Sequence, residues 1–336
     1  MMSSKLRLKI FLSAALHHIG FLNLLKNSRT LNQAFVLMYH RVIASLQEEK
    51  IPVHPGMYVT QDSFKKQIDF LKNHFHVLPL TEILHRLERR RSIAGCCALT
   101  FDDGWLDNSV YAYPVLQELN LPATIFLATG FVGTDRLFWP EEVAFYLSHP
   151  DVLERGRADA VLKSFLDSMP ENEIEEARLD HAIVHLKSMS PAVREEVITA
   201  MRRLSGVILP GRMLMNWDEI RRMQAGGLVN FGAHSHNHVI LDQVSLEEVE
   251  KEIVLSRQVM EKQLGVTPDL FAYPNGNHTP DVQLILKKNG FKAAVTTRKG
   301  WFDRNVSLFE IPRIGMHEDV SKTASMFFAR ILLRRF

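Results

Sequence analysis

Eight short runs of apolar, β-rich residues, with helical patterns between most of them, constrain this chain of 336 residues more than any other feature. They are FVLMYH (35–40), HVLPL (76–80), CCALTF (96–101), ATIFLA (123–128), LVNFGAH (228–234), LFAYP (270–274), KAAVTT (292–297) and FEIPRI (309–314). Each run is nearly continuous in hydrophobicity instead of alternating, the pattern of parallel strands covered on both faces. Seven or eight such strands alternating with helices predict an α/β fold, an irregular (β/α) barrel. An open doubly wound sheet is the competing arrangement, but no glycine-rich phosphate loop follows the first strand or appears elsewhere. One connecting helix reads in detail: Ser245 and Glu248 form a capping box, Leu246, Val249, Ile253, Met260 and Leu264 make the apolar face, and Gly265 with Pro268 ends it. Another helix follows Ser63, with Phe64, Ile68 and Leu71 on one side.

Residues 136–216 break this rhythm. They are charged, hold no convincing strand and read as several helices, which predicts a helical insertion between barrel segments 31–135 and 217–320. At 46% hydrophobic and 23% charged residues the chain has ample material for a core, and its net charge of +2 leaves no footprint for nucleic acid. Charge is nevertheless uneven. Residues 1–30 carry Lys5, Arg7, Lys9, Lys26 and Arg29 without an acid, and the segment after Asp319 carries Lys322, Arg330, Arg334 and Arg335, again without one. The apolar segment IFLSAALHHIGFLNLL is interrupted by His17 and His18, is too short to span a bilayer and is followed by no clean cleavage site. Two readings stand: basic terminal helices (1–30 and 321–336) touching an anionic membrane surface, or ordinary helices packed on the domain. The location expected is the cytoplasm or the inner face of its membrane, not outside the cell. Adjacent residues on a strand point to opposite faces, so Cys96 and Cys97 read as buried free thiols.

The chemistry concentrates in LTFDDGW, residues 99–105, where a buried strand ends in two adjacent carboxylates. Gly104 allows a sharp turn there, and neighbouring side chains diverge, so Asp102 and Asp103 need not do the same job. A cation bound by one of them would relieve the repulsion and lower the pKa of the other. The second strand-end cluster, GAHSHNHVIL, offers three histidines in five residues, His234, His236 and His238. Imidazoles with a carboxylate suit zinc, and cobalt or nickel would satisfy the same groups. Aspartate plus two histidines with open positions makes a hydrolytic site, leaving a free carboxylate to take a proton from water.

TFDDG followed by HSHNH resembles the first two motifs of the polysaccharide deacetylase, or NodB-homology, family of metal-dependent carbohydrate esterases. VLMYHRV, LPATIFLATGFVG, FAYPNG and LFEIPRIG extend the likeness in order along the chain. The resemblance implies a distorted (β/α)7-type barrel and removal of acetyl from an N-acetylated sugar. It makes Asp102 the base and Asp103, His234 and His238 the ligands of one divalent ion, most simply Zn2+. His236 is left outside the ligand set, and Ser235 is expected to orient the loop or a ligand through a hydrogen bond. The acid that protonates the departing amine is His40, closing the first strand, or His317 in RIGMH. The third motif departs from the common family pattern: FAYPNG supplies no arginine, and Asn275 stands where many members have tyrosine. Arg313 is expected to reach Asp102 in place of that arginine, and the Asn275 N–H to serve as oxyanion donor. Trp105, Tyr273 and Asn275 are the candidate sugar contacts. Two other readings remain at this point: a deacylase or deformylase of a lipid-linked sugar, and a degenerate carbohydrate-binding relative.

Overall fold

The computed structural model describes residues 4–169 and 175–333 and divides into two compact units. The first is built from the chain up to Ser45, from Pro55–Thr134 and from Leu214 onward; the second from Leu46–His54 and Asp135–Met213. The strands are β1 (Ala34–Tyr39), β2 (Arg41–Ile43), β3 (Tyr58–Thr60), β4 (His76–Val77), β5 (Cys96–Phe101), β6 (Ala123–Leu127), β7 (Val229–Ala233), β8 (Leu270–Ala272), β9 (Ala293–Val295), β10 (Trp301–Phe302) and β11 (Ile314–Gly315). Strands β1, β5, β6, β7, β8 and β9 pair in parallel in that order, and β11 pairs in parallel with the free side of β1. A bridge from Val295 to Ile311 links β9 to the segment that becomes β11, so seven parallel elements run round the distorted barrel. The two-residue β10 lies antiparallel to the start of β1, with Ala34 opposite Phe302. β2 and β3 form a separate pair.

Side chains alternate between the two faces of the sheet, and both faces are covered along β1, β5, β6, β8 and β9, so these strands are apolar apart from Thr100 and Thr124. Ala34, Val36, Cys96, Ala98, Phe126, Leu270, Ala272, Ala293 and Val295 belong to one buried cluster, drawn from strands around the ring, which fills the barrel interior. Phe35, Leu37, Cys97, Leu99, Phe101, Ile125, Phe271 and Ala294 belong to a second cluster shared with the surrounding helices. Cys96 and Cys97 therefore fall on opposite sides of β5, both buried and unbridged, and burial pushes the Cys97 thiol far above its usual range.

The helices are α1 (Ser4–His18), α2 (Phe21–Arg29), α3 (Gln61–His74), α4 (Leu80–Glu88), α5 (Tyr113–Leu119), α6 (Trp139–Leu147), α7 (Pro150–Gly156), α8 (Ala160–Asp167), α9 (Glu175–Ser188), α10 (Pro191–Ser205), α11 (Trp217–Ala225), α12 (Leu246–Leu264), α13 (Pro280–Lys288), α14 (Glu318–Ser321) and α15 (Ala324–Leu332). Ser245 caps α12 through the Glu248 N–H and Gly265 ends it at φ 69°. The cap of α3 is Thr60, whose hydroxyl accepts from the Ser63 N–H; the helix thus starts before the expected Ser63. α1 and α2 meet at a bend of 74° through Gly20, at φ 76°, and no single helix among the described residues is long and apolar enough to cross a membrane. α1 packs on α15, where the Ser13 hydroxyl lies 3.3 Å from that of Ser325. The described part of the basic C-terminal helix is a core element, because α15 buries Met326, Phe327, Phe328, Ile331 and Leu332.

The second unit is wholly helical apart from its connections, comprising α6 to α10. Its buried Glu142 accepts from Arg202 and from the Tyr146 hydroxyl, which ties α6 to α10. Residues 46–54, which the sequence pattern assigns to the barrel, belong here, with His54 paired to Asp180 at 2.9 Å. Residues 214–216 belong to the barrel unit: Leu214 bridges Trp105, and the Met215 N–H donates to Gly104.

Where the interior is tightest, β7 carries a glycine. A Cβ at Gly232 would lie 2.6 Å from the Phe126 ring and 2.9 Å from the Leu270 carbonyl oxygen. Gly232→Ala should overpack the barrel and destabilise it by about 1–3 kcal/mol, read as a lowered urea midpoint with unchanged slope.

Candidate active site

Strand register decides which loop residues meet. Tyr39 pairs with Phe101, so His40 and Asp102, the next residue on each strand, emerge side by side. The Asp102 N–H donates to the Tyr39 carbonyl, and the Asn108 side chain donates to that of His40. His40 Nε2 lies 3.9 Å from Asp102 Oδ2. Leu127 pairs with Ala233 in the same way, which delivers His234 at the end of β7 with its N–H on the Leu127 carbonyl.

The two aspartates separate because the backbone turns left-handed between them. Asp103 has φ 76° and Gly104 φ 84°, and a Cβ at Gly104 would lie 2.8 Å from Leu127. Such a conformation is costly for aspartate and persists only where the surroundings enforce it. Asp102 is held by a buried arginine: Arg313 Nη1 and Nη2 donate to its Oδ1 and Oδ2, both at 2.7 Å. Arg313 is itself fully buried, with Nε on the Thr296 carbonyl and Nη1 on the Thr100 hydroxyl. Burial opposes ionisation of Asp102, but the guanidinium overrides it and holds the carboxyl below its ordinary range.

Asp103 takes the other direction. Its Oδ2 accepts from the Trp105 indole N–H at 2.9 Å, and its Oδ1 is buried, makes no hydrogen bond, and lies 3.5 Å and 3.3 Å from Nε2 of His234 and His238. Burial raises the Asp103 carboxyl, but the two imidazoles prevail and hold it well below the usual value. The Nδ1–H of His234 donates to the Ala272 carbonyl at 2.7 Å, which turns Nε2 toward Asp103 as a lone-pair donor. One donor atom from each of Asp103, His234 and His238 lies within 4.8 Å of the others. An orphaned buried carboxylate oxygen facing two imidazole nitrogens is what a divalent ion of the zinc type requires, so these residues fit one. Asp102, Asp103 and His234 are buried, whereas the His40 and His238 side chains are 18% and 22% exposed. Solvent thus meets the cluster from their side. Burial lowers the His40 pKa, and Arg313 and His234 add to this against the pull of the two aspartates.

Other expected residues are placed differently. His236 faces away from the triad, with Nδ1 2.9 Å from the Thr129 hydroxyl. The Ser235 hydroxyl is buried and makes no hydrogen bond, so it does not orient a ligand; its contribution is backbone, at φ 58° with its carbonyl accepting from Thr129. Trp105 is fully buried under the Arg41 guanidinium, 4.8 Å from its ring, and offers no face to a sugar; its part is to hold Asp103. Tyr273 is also fully buried, its hydroxyl on the Phe309 carbonyl and its ring stacked on His278, so it is no sugar contact either. Asn275 is exposed at φ 57° on the loop after β8. His317 precedes α14, and its carbonyl accepts from the Ser321 hydroxyl; the charged neighbours acting on His40 are Asp102, Asp103, Arg313 and His234.

Two supports escaped sequence reasoning. Glu252 of α12, 1% exposed, accepts from the backbone N–H of His236 and of Asn237 and from the Asn237 side chain, and so clamps the histidine loop. Its signal was an acid on the apolar stripe Val249, Ile253, Met260. Asp107 holds Arg41 over Trp105 and accepts from the Val42 N–H, a long-range pairing with no local pattern.

With this geometry the comparisons with known proteins agree. The family model described as polysaccharide deacetylase matches residues 89–164 and 191–294, more than half of the chain, and the chain belongs to that family, whose members are metal-dependent. It is 33% identical over 119 residues to the poly-beta-1,6-N-acetyl-D-glucosamine N-deacetylase of Staphylococcus aureus (strain MSSA476), covering 31% of this chain and 39% of that enzyme. The Staphylococcus epidermidis enzyme of the same name is 32% identical over 118 residues, 31% of this chain and 38% of that one. The match thus spans well under half the length of these relatives. The fold is that of IcaB from Ammonifex degensii (TM-score 0.58, 18% identity, 88% of this chain and 97% of that one) and of Streptococcus pyogenes deacetylase PplD (0.56, 19%, 86% and 94%).

Metal binding provides the direct check. The wild-type chain should take up about one divalent ion, with zinc as the probe, and His238→Ala should abolish this. Glu252→Gln, which removes only loop support, should weaken zinc affinity by about 10–100-fold in a chelator competition titration.

Proposed function

We propose that this protein is a metal-dependent hydrolase that removes N-acetyl groups from an N-acetylated polysaccharide, with a poly-N-acetylglucosamine as the first substrate to try. The observation that carries this is the divergent fate of two neighbouring carboxylates: Asp102 is locked ionised by Arg313, while Asp103 is turned onto two imidazoles. Both hydrolytic roles then have an occupant. Asp103, His234 and His238 would hold the ion, zinc on the chemistry of this donor set. Bound there, it would acidify water and polarise the acetyl carbonyl.

The chain's own groups do the rest. Asp102 accepts the proton of the attacking water, and Arg313 fixes which way its oxygens face. Burial keeps His40 neutral at rest, so the proton it delivers to the departing amine reaches it from Asp102, 3.9 Å away. The proton lost by water thus leaves with the amine, and acetate with the free amino sugar are the products. The Asn275 N–H, on the exposed loop after β8, serves as oxyanion donor, a role independent of its side chain and typically worth about 3–4 kcal/mol. His40 is preferred to His317 because strand register sets it beside Asp102. The relatives named for poly-beta-1,6-N-acetyl-D-glucosamine suggest the polymer. Presence of base, acid and all three ligand positions leaves a purely binding role without a supporting observation.

Amine release from poly-β-1,6-N-acetylglucosamine, other N-acetylated glycans and polyprenyl-linked acetamido sugars, with and without a chelator, tests this. Wild type should release amine from at least one polymer and lose activity on chelation. Asp102→Asn should lose about 10²–10⁴-fold in kcat with zinc content unchanged; silence on every polymer with turnover of a lipid-linked sugar would replace the substrate assignment. Arg313→Lys keeps the charge and loses the two-pronged grip. It should lower kcat more than tenfold (about 1.4 kcal/mol) while KM and zinc content stay near wild type.

A further inference from the structure

A second concave site lies beside the start of β1. It is a cavity of about 610 Å³ whose walls include Arg29 at the end of α2, Arg298 and Lys299 before β10, Trp301 in β10, and Leu333 after α15. Gln33, just ahead of β1, also lines it, as do Pro312 and Ile314 on either side of Arg313. Cations dominate the walls, and Asp303 is the acidic residue among them. The Arg29 guanidinium lies 5.8 Å from the Trp301 ring, and Lys299 Nζ donates to the Leu333 carbonyl. Burial pulls the Lys299 pKa down to about 7, with Arg330 and Arg29 pushing the same way. An anion in the cavity would reverse that push.

What surrounds this cavity is apolar and basic. The first acid of the chain is Glu48, while Lys5, Arg7, Lys9, Lys26 and Arg29 precede it. α1 packs on α15, so this acid-free segment meets the acid-free segment that follows Asp319. On the N-terminal pair Phe11, Ile19 and Leu24 are 69%, 72% and 67% exposed, and Leu31, two residues beyond the cavity wall at Arg29, is 70% exposed. Large apolar side chains left in water beside an excess of cations, with Asp303 the one carboxylate of the cavity lining, match the interface of a negatively charged bilayer. Neither helix alone is long and apolar enough to cross one, although the bent pair passes by length and composition. We propose that α1 and α2 lie on an anionic phospholipid surface and that the Arg29–Lys299 cavity takes the phosphate headgroup of one of its lipids.

Flotation of the full zinc-loaded chain with vesicles tests it, using phosphatidylcholine alone or phosphatidylcholine mixed with phosphatidylglycerol. The protein should float with the mixed vesicles, be released by high salt, and stay behind with phosphatidylcholine. Phe11→Ser with Leu24→Ser should weaken vesicle binding by about tenfold or more. Arg29→Gln with Lys299→Gln should remove the preference for phosphatidylglycerol. Both variants should deacetylate soluble oligomer at the wild-type rate, which shows that they are folded. Equal binding to the two vesicle types, or wild-type flotation of the apolar variant, overturns the proposal. So does Lys299-dependent stabilisation by inorganic phosphate without flotation, which would make the cavity a site for free phosphate.

Discussion

The buried pair of Asp102 and Arg313 is the interaction on which the rest of the site depends. Two carboxylates on neighbouring residues, both out of water, repel by roughly 3 kcal/mol at 5 Å even in a moderately polar interior. Arg313 neutralises one of them with two parallel hydrogen bonds, while Thr296 and Thr100 occupy further donors of the guanidinium. Breaking such a pair from one side typically costs about 3–5 kcal/mol, because the survivor stays buried and charged. That cost makes the orientation of Asp102 stiff, which suits a group that must meet a proton at one position. It also frees Asp103 to carry its charge toward the histidines.

The same site stores backbone strain. Among the described residues, six non-glycine positions have positive φ, and four of them are Asp103, Ser235, His238 and Asn275. Each costs on the order of 1–3 kcal/mol unless enforced, so the loops after β5, β7 and β8 hold their shape only because neighbours dictate it. Trp105 does this for Asp103, and Glu252 for the histidine loop. The second holds three donors on one buried carboxylate, and the barrel wall thereby reaches the histidine loop through α12.

Much of this was legible in the sequence, for identifiable reasons. Continuous apolar runs announce doubly covered strands, and a parallel barrel gathers their C-terminal ends, so Asp102, Asp103, His234 and His238 fall together without knowledge of register. Arg313 comes from the family resemblance, whose common third-motif arginine this chain lacks, and the structure places it on Asp102. What failed were inferences about side-chain direction. Trp105 and Tyr273 stand beside the motifs, yet both are fully buried, and adjacency in sequence says nothing of exposure. Ser235 was assigned a hydroxyl bond when its value is a left-handed backbone. Asp107 and Glu252 act across separations of 65 and 16 residues, where local pattern carries no information.

Cys97 has a consequence of its own. Its thiol is sealed between β5 and the helices that cover it, and burial keeps it protonated, so it does not react with alkylating reagents while the barrel is closed. Modification requires the strand to part from its covering, which makes the rate of alkylation a clock for transient opening of the central sheet. The protein thus carries an internal gauge of its own breathing, placed five residues before Asp102.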